Sequence, residues 1–232
     1  MIQYSEIDLQ VICRIQELNT LQQKEISKSV LKRLPVYLSY LKAQTDGPAN
    51  ISATALATAL NLGEVQVRKD LAMVSDGGRP KIGYNRLSLI DDIEQFLGYD
   101  NTNDAVLIGA GGLGGALLGY TGFAEYGLNI VAAFDSNPEL VGKVKNGKKV
   151  YAVSELKQFC GEHKILMGII TVPAEHAQEV CNILIECGIL AIWNFAQAHL
   201  DVPEGILVQN ENMATSLAVL SKHLSVQIGN MK

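Results

Sequence analysis

The sequence predicts a two-domain protein in which a small helical domain precedes a doubly wound α/β domain with a parallel sheet. Three observations predict this fold: the charge changes sign along the chain, helical periodicity dominates the first third, and strands alternate with helices from Ala105 onward. With 232 residues and 48% hydrophobic residues, the chain can bury a sizeable core.

The formal net charge of −5 conceals three segments of different charge. Residues 1–23 carry one base and three acids, residues 24–86 carry ten bases and five acids, and residues 87–232 carry eight bases and sixteen acids. A cationic block attached to an anionic body suggests a nucleic-acid module joined to a second domain. Uneven charge is also common in two-domain chains whose charges are merely solvated, so the block alone leaves both interpretations open.

The sequence does not predict a membrane protein, a secreted protein or a metal-binding protein. The apolar runs are shorter than the roughly twenty residues that span a bilayer, and the N-terminus lacks the basic and apolar regions of a secretory signal, so we expect a cytoplasmic protein. The four cysteines have no C-x-x-C spacing, which indicates neither a zinc site nor a disulfide framework.

The basic block predicts helices joined by short turns. From Ser27 to Leu41, apolar residues recur every three or four positions, which predicts a helix that Pro35 should kink or whose start it should move. Ser52 is a candidate N-cap for a second helix of good helix formers. A tight turn at residues 61–63 then leads into a third helix.

The third helix is predicted over residues 64–74. One side is apolar, and the other side carries Gln66, Arg68, Lys69 and Asp70. Two short helices joined by a glycine-containing turn, with cations on the second, are typical of a DNA-binding helix-turn-helix. The alternative is an ordinary helical module.

Residues 75–85 predict a small β-hairpin wing, because glycines and Pro80 exclude a helix. Cations near the tip of such a wing contact phosphates or enter a minor groove. The predicted DNA-binding residues of the helices and the wing are Ser52, Thr54, Gln66, Arg68, Lys69, Arg79 and Lys81.

From Ala105 an apolar strand runs into a glycine-rich turn and then a helical pattern, the context in which G-x-G-x-x-G indicates a dinucleotide site. The three motif glycines allow a tight turn, the approach of a pyrophosphate and close helix–strand packing, and the helix N-terminus offers N–H groups to the phosphates. The predicted loop residues are Gly109, Ala110, Gly111, Gly112, Leu113 and Gly114.

Asp135 ends the second predicted strand, 21 residues after Gly114. A carboxylate at this place accepts hydrogen bonds from the adenosine ribose and repels a 2′-phosphate, so NAD(H) is expected rather than NADP(H).

Further strand–helix units indicate a Rossmann-type sheet, in which ligands bind outside the carboxyl ends of the strands. Two strand ends are therefore candidate cofactor-binding segments: Thr171, Val172 and Pro173, and Asn194, Phe195 and Ala196. The last amphipathic helix, with Leu217, Leu220 and Leu224 on one stripe, is expected to pack on its own sheet or on a partner chain.

The second domain lacks a local catalytic motif. A dehydrogenase acting on a hydroxy acid needs a general acid/base and an arginine, whereas residues 87–232 contain no Arg and their four histidines avoid the predicted strand ends. We therefore expect dinucleotide binding without turnover. An NAD-dependent oxidoreductase acting on a small carbonyl substrate remains an alternative, as does a CoA-binding or structural sheet domain.

Segments along residues 24–224 resemble, in order, the Rex family of redox-sensing transcriptional repressors. They are KEISKSVLKRLPVYLSYL, VRKDLA, KIGYN, GAGGLGGALLGY, FDSNPELVG, ITVPAEHAQEV, GILAIWNFA and VPEGILV. The resemblance implies a homodimer with a winged helix on double-stranded operator DNA, an NAD(H)-binding Rossmann-type body and a C-terminal helix swapped onto the partner. It also implies release of the DNA when NADH rises relative to NAD⁺.

By position, the resemblance assigns Arg68 and Lys69 to the recognition helix and Tyr120 to the family tyrosine after the glycine loop. It divides the chain into an extension (residues 1–23), a winged-helix domain (24–86), a Rossmann-like domain (87–212) and a swapped helix with its tail (213–232).

The chain departs from the family pattern at several positions. Val74-Ser75 and Pro80-Lys81 replace a Phe-Gly and an Arg-Gly pair, and Gln197 replaces a proline. Ser39 and Asn212 replace an Arg and an Asp that resemble a redox-state latch between subunits. Because neither is charged, a Coulombic latch cannot form at these positions, and the redox response is expected to be weaker than, or different from, the family norm.

Overall fold

The computed structural model describes residues 27–100 and 103–230, so the expected extension at residues 1–23 lies outside the described part. The described residues form two units, one ending at Gly98 and the other beginning at Tyr99. Neither unit contains a described helix long and apolar enough to cross a membrane.

The first unit is mainly helical. Its elements are α1 (Lys28–Ala43), β1 (Asn50–Ile51), α2 (Ala53–Ala59), α3 (Glu64–Val74), β2 (Tyr84–Asn85) and α4 (Arg86–Leu97). The Ser27 hydroxyl accepts the N–H of Val30, and the Ser52 hydroxyl accepts the N–H of Ala55, so both serines cap their helices. The predicted helix-turn-helix is confirmed as α2 and α3.

Pro35 lies inside α1 and does not move the start of the helix, contrary to one of the two effects expected. The Ser27 cap fixes the start at Lys28. Leu34, Tyr37, Leu38 and Leu41 are fully buried on the predicted apolar side, whereas Leu31 is exposed.

Asp70 is buried, and its predicted position on the solvated side of α3 is therefore wrong. Its carboxylate accepts hydrogen bonds from Arg33 Nε and Nη2 at 2.8 and 2.9 Å, and from the Tyr37 hydroxyl at 2.8 Å. Only 3% of Asp70 is exposed. The helical pattern placed this residue among solvated charges because its two partners lie on α1, far away in sequence.

The buried contacts with Asp70 also make the Tyr37 phenol a weaker acid. Burial and the hydrogen bond to Asp70 raise the pKa of Tyr37 to about 12. The phenol is therefore a hydrogen-bond donor, and α1 holds α3 through one ion pair and one hydrogen bond from the phenol to the same carboxylate.

The wing is smaller than the predicted hairpin. Within residues 75–85, Arg79 and Gly83 form one antiparallel bridge, and Lys81 has a positive φ of 65° at the turn between them. Tyr84 and Asn85 pair instead with Ile51 and Asn50, because β1 offers them a longer ladder than the hairpin does.

The helical unit extends further along the chain than the expected boundary at residue 86. Helix α4 buries Leu89 and Ile93, and it ends at Gly98, whose φ of 73° is left-handed. The hydrophobic side of α4 therefore belongs to the first unit.

The second unit contains a seven-stranded sheet within residues 103–210. Its strands are β3 (Asn103–Ile108), β4 (Leu128–Asp135), β5 (Val144–Lys145), β6 (Lys148–Ala152), β7 (Met167–Ile170), β8 (Ala191–Asn194) and β9 (Leu207–Asn210). Its helices are α5 (Gly112–Gly119), α6 (Leu156–Glu162), α7 (Ala174–Glu186) and α8 (Met213–Asn230), with short 3₁₀ turns at Thr121–Tyr126 and Val153–Glu155.

The strand order is β5-β6-β4-β3-β7-β8-β9, with β5 antiparallel and the other neighbours parallel. Numbered along the chain, the parallel strands follow the Rossmann order 3-2-1-4-5-6. Alternate residues of β3 enter two different hydrophobic clusters, Val106 and Ile108 on one side and Ala105 and Leu107 on the other. The doubly wound fold is therefore confirmed, with the sheet buried on both faces.

Several elements of this unit differ from their predicted extents. The sequence predicts strands over residues 165–172 and 189–194, and β7 and β8 are shorter than these ranges. It predicts helices over residues 154–159 and 214–224, but the first is divided between a 3₁₀ turn and α6, and α8 continues to Asn230. Strand β9 and the short strand β5 correspond to no predicted strand.

We expect Asp70→Asn to lower the free energy of unfolding by about 1–3 kcal/mol, because Arg33 loses its carboxylate partner and a buried amide replaces that carboxylate. The effect should be smaller than for a fully buried ion pair, since the Arg33 side chain is 21% exposed. Urea unfolding followed by circular dichroism measures the change, with Asp76→Asn as the matched variant of an exposed acid. Equal, small effects of the two substitutions would contradict this role of Asp70.

Candidate functional site

The glycine loop lies at the carboxyl ends of β3 and β7, where the strand order reverses. Gly109 follows β3 with a φ of 100°, and its N–H donates to the carbonyl of Phe134 at 2.8 Å. A Cβ at Gly109 would lie 2.9 Å from the carbonyl carbon and oxygen of Thr171. Both the backbone conformation and this close approach therefore require glycine.

Gly114 brings the first turn of α5 against the same strand end. A Cβ there would lie 1.9 Å from the Gly109 oxygen and 2.8 Å from Thr171 Oγ1. The Thr171 hydroxyl lies 2.7 Å from the Gly109 carbonyl oxygen and 3.0 Å from that of Ile108, so its one proton is shared between two acceptors. The predicted Thr171 and the glycine motif thus meet at the switch point.

Gly111, Gly112 and Leu113 form the open side of the loop. All three are exposed, and a Cβ at either glycine would meet no protein atom within 4 Å. The first N–H groups of a helix have no partner within it and carry the positive end of its dipole. This part of the loop can therefore accept an anionic group such as a phosphate.

Asp135, at the end of β4, holds the loop from one side. Its Oδ2 accepts the N–H of Ala110 at 2.7 Å, and its Oδ1 accepts the N–H of Asn137 at 2.8 Å. Because each carboxylate oxygen can accept a second hydrogen bond, the half-buried side chain retains capacity for a ligand hydroxyl. Asp135 therefore fixes the backbone of the glycine loop, a role that is separate from the ribose contact predicted from the sequence.

Lys145 is a residue of the site that the sequence analysis missed. Its Nζ donates to the carbonyl of Ala110, the residue whose N–H donates to Asp135. Lys145 stands on the β5–β6 hairpin, whose turn residues Asn146 and Gly147 have φ values of 49° and 76°. The Asn-Gly pair in KVKNGKKV is a strong hairpin signal and was the available clue.

The second strand end is organised around Asn194. This residue is fully buried, its Nδ2 donates to the Ala198 carbonyl at 3.0 Å and to Asn210 Oδ1 at 2.8 Å, and its Oδ1 accepts the Ala196 N–H at 3.0 Å. Both donors are used within the protein. Asn194 therefore shapes the loop that carries Phe195 and Ala196.

A row of aromatic rings joins this loop to the residue that follows α5. Tyr120 contacts Phe123 at a centroid distance of 4.8 Å, Phe123 contacts Trp193 at 5.6 Å, and Trp193 contacts Phe195 at 4.8 Å. Tyr120 remains 54% exposed. The row brings together two predicted site residues, Tyr120 and Phe195, through Phe123 and Trp193, which the sequence analysis did not select.

The candidate nucleic-acid interface lies on the first unit. The predicted residues Ser52, Thr54, Gln66, Arg68, Lys69, Arg79 and Lys81 are all exposed. Arg68 pairs with Glu64 one helical turn earlier, a contact that the sequence analysis did not anticipate. When the side-chain amide of Gln66 is oriented with its oxygen towards Arg33, that oxygen accepts a hydrogen bond from Arg33 Nη1 at 2.8 Å.

Within residues 27–100 and 103–230, no group of three or more metal-binding side chains occurs. The polar features of the two units are instead exposed cations on a helix-turn-helix and an open glycine loop on a Rossmann sheet. Together they define a protein class that joins a DNA-binding unit to a dinucleotide-binding unit.

Comparisons with known proteins agree with this class. One matching family model is described as a CoA binding domain (residues 100–198), and another as a putative DNA-binding protein N-terminus (residues 25–72). A redox-sensing transcriptional repressor Rex of Treponema denticola is 42% identical, with 86% of this chain and 95% of the relative covered. The corresponding protein of Bacteroides fragilis is 39% identical, with 89% and 96% covered. The chain belongs to the Rex family of redox-sensing transcriptional repressors.

Two similar solved structures are of the Rex-family repressor RSP. Its complex with β-NAD⁺ and operator DNA has a TM-score of 0.82 at 33% identity, covering 88% of this chain and 95% of RSP. Its complex with β-NADH has a TM-score of 0.80 at 32% identity, covering 90% and 100%.

We expect Gly114→Ala to lower the free energy of unfolding of the second unit by about 3 kcal/mol, because the new Cβ overlaps the Gly109 carbonyl oxygen. Gly112→Ala is the matched control: Gly112 is the first residue of α5 and its methyl group would meet no atom within 4 Å, so stability should stay within about 0.5 kcal/mol. Thermal unfolding followed by fluorescence of Trp193, the single tryptophan, measures both. Equal stability of the two variants would contradict the packing role of Gly114.

Proposed function

We propose that this chain is a transcriptional repressor that binds double-stranded operator DNA through its first unit and NAD(H) through its second. Binding of the dinucleotide changes the affinity for the operator, so that repression follows the NADH/NAD⁺ ratio. The observation that carries the proposal is the match over 88% of the chain to RSP in its complex with β-NAD⁺ and operator DNA.

The exposed cations of the first unit support the DNA-binding role. The pair between Arg68 and Glu64 is an exposed contact within one helix, and such pairs contribute little to stability. Arg68 can therefore exchange Glu64 for a DNA phosphate at small cost. We assign Lys69, Arg79 and Lys81 to phosphate or groove contacts, and Ser52, Thr54 and Gln66 to polar contacts.

The glycine loop and the two strand ends support the dinucleotide role. We assign the pyrophosphate to the open N–H groups beside Gly111, Gly112 and Leu113, and the adenosine ribose to Asp135. The nicotinamide half then lies near the segments at residues 171–173 and 194–196 and near Tyr120. Ala110 and Asn194 act by shaping the loops, because their polar groups are already bonded within the protein.

Exposed apolar side chains on α8 support a homodimer. All its described side chains are exposed, among them Leu217, Leu220 and Leu224. A helix in water draws most of its stability from packing an apolar face, and a second copy of the chain supplies such a surface. We propose that α8 is the element exchanged between the two protomers.

We further propose that the protein binds the dinucleotide without turning it over and acts in the cytoplasm. The relatives are named as repressors. We place the boundary between the DNA-binding and NAD(H)-binding domains at Gly98 and Tyr99, and the dimerisation helix with its tail at residues 213–232.

Ser39 and Asn212 support an altered redox response. Both are exposed and uncharged. Asn212 Oδ1 accepts the N–H of Ala214 at 3.0 Å, so Asn212 caps α8 as an aspartate also would, but without the charge. The neighbouring Glu211 carries a charge, and its Oε1 accepts the indole N–H of Trp193 at 3.0 Å.

We expect Arg68→Ala combined with Lys69→Ala to weaken operator binding and to reduce the slope of log affinity against log salt concentration by about two, because two phosphate contacts are lost. Fluorescence anisotropy of the full chain on a duplex selected from a random library measures this. Lys157→Ala, which changes an exposed lysine of the second unit, should leave the slope unchanged. An unchanged slope in the double variant would remove these residues from the interface.

We expect NADH and NAD⁺ to differ less in their effect on operator binding than they do in a family member that carries the Arg and Asp pair. The physical reason is that no Coulombic term at Ser39 and Asn212 separates the two states. Separate titrations of the two dinucleotides against operator binding measure the difference, and Ser39→Arg with Asn212→Asp should enlarge it. Strong release by NADH with inert NAD⁺ in the unaltered chain would overturn this expectation.

A further inference from the structure

The domain that carries the glycine loop has an excess of acidic residues, so few cations are available to a bound pyrophosphate. Residues 99–232 contain no arginine and carry eight bases against thirteen acids. A pyrophosphate carries two negative charges and is bound here by an anionic domain. A lysine held at the glycine loop is therefore electrostatically important.

The ammonium group of Lys145 lies directly on the glycine loop. Its Nζ donates to the Ala110 carbonyl and lies 3.7 Å from the place that a Cβ on Gly115 would occupy. Because an ammonium group has three donors, the bond to Ala110 leaves two for a ligand. Asp135 accepts the N–H of the same Ala110, so opposite charges bond the two consecutive peptide groups on either side of the Ala110 Cα.

The hairpin that carries Lys145 is fixed against α5. Lys145 pairs with Lys148 and Val144 with Lys149 across the Asn-Gly turn. Asn146 Nδ2 donates to the Gly115 carbonyl at 3.0 Å and lies 2.7 Å from the place of a Cβ on Gly119. The backbone of Lys145 is therefore positioned before a ligand arrives, which reduces the entropy cost of binding.

The other lysines of the hairpin are directed elsewhere. Lys148 lies 3.5 Å from Asn129 Oδ1, Lys149 lies over the ring of Tyr151 at 4.4 Å from its centroid, and Lys143 is exposed. The contact with the glycine loop is thus specific to Lys145 among these four lysines.

We propose that Lys145 is a phosphate-binding residue of the dinucleotide site, and that its ammonium group pairs with the pyrophosphate of NAD(H). This inference rests on the proposed function. The pyrophosphate is favoured over a 2′-phosphate because the Asp135 carboxylate repels an anion at the ribose. Asp135 and Lys145 thus divide the adenosine half between them, the carboxylate on the ribose hydroxyls and the ammonium on the phosphates.

The test is calorimetric binding of NADH, NADPH and ADP to the full chain and to Lys145→Met, with Lys143→Met as the matched control. Loss of one charge-assisted hydrogen bond should weaken both ligands about tenfold in Lys145→Met and leave Lys143→Met unchanged. The decrease of ADP affinity with ionic strength should become shallower in Lys145→Met. Lys145→Arg should restore most of the affinity and the ionic-strength dependence.

Two results would overturn the proposal. The first is an unchanged affinity of Lys145→Met for NADH and ADP. The second is a weaker affinity whose dependence on ionic strength is unaltered, because Lys145 would then only hold the loop. A larger loss for NADPH than for NADH would assign the lysine to the 2′-phosphate instead. If the unaltered chain binds neither NADH nor ADP, the proposed function itself fails, and that outcome is distinct from a failure of Lys145 alone.

Discussion

The close approach of Gly114 to the Gly109 carbonyl is the constraint on which the candidate site depends. No side chain fits between the first turn of α5 and the end of β3, since a Cβ would lie 1.9 Å from that oxygen. The contact fixes where α5 begins, and therefore where its unpaired N–H groups point. Thr171 from β7 bonds to the same carbonyl, so the loop is held where the strand order reverses. Asp135 then bonds the N–H of Ala110 and Lys145 bonds its carbonyl, so both backbone polar groups of this loop residue are held by charged side chains.

A buried ion pair has the corresponding role in the first unit. Arg33 and Tyr37 of α1 hold Asp70 of α3, and the neighbouring residues Arg68 and Lys69 face solvent. The positions of Arg68 and Lys69 on α3 therefore depend on the next residue, Asp70, whose carboxylate bonds this helix to α1. An uncompensated charge at this place is costly, which ties the integrity of the cationic surface to the packing of α1. The two units thus position the groups that we propose to bind phosphate by different means, a buried carboxylate in one and a close glycine contact in the other.

Features encoded within one short segment were predictable from the sequence. The glycine loop, Asp135 at a strand end and the Ser52 cap each follow from neighbouring residues, and the structure places them as predicted. Contacts between distant segments were not predictable. The pattern of α3 predicts a solvated Asp70, but its partner Arg33 lies on α1. Lys145 is one of several lysines in its segment, and only the folded hairpin brings it to the glycine loop. Asn194 is predicted to contact a ligand, whereas Ala198 and Asn210 accept its two amide hydrogens. Periodicity identifies which side of an element is polar, but not which polar group finds a buried partner.

A repressor of this kind couples dinucleotide binding to operator binding within one chain, and thermodynamic linkage makes that coupling measurable. The dissociation constant of NADH for the full chain is determined first alone and then with a saturating operator duplex. We expect the two constants to differ, and the operator dissociation constant to change by the same factor when NADH is saturating. Identical NADH dissociation constants with and without the operator would contradict the coupling, even if each ligand binds tightly by itself.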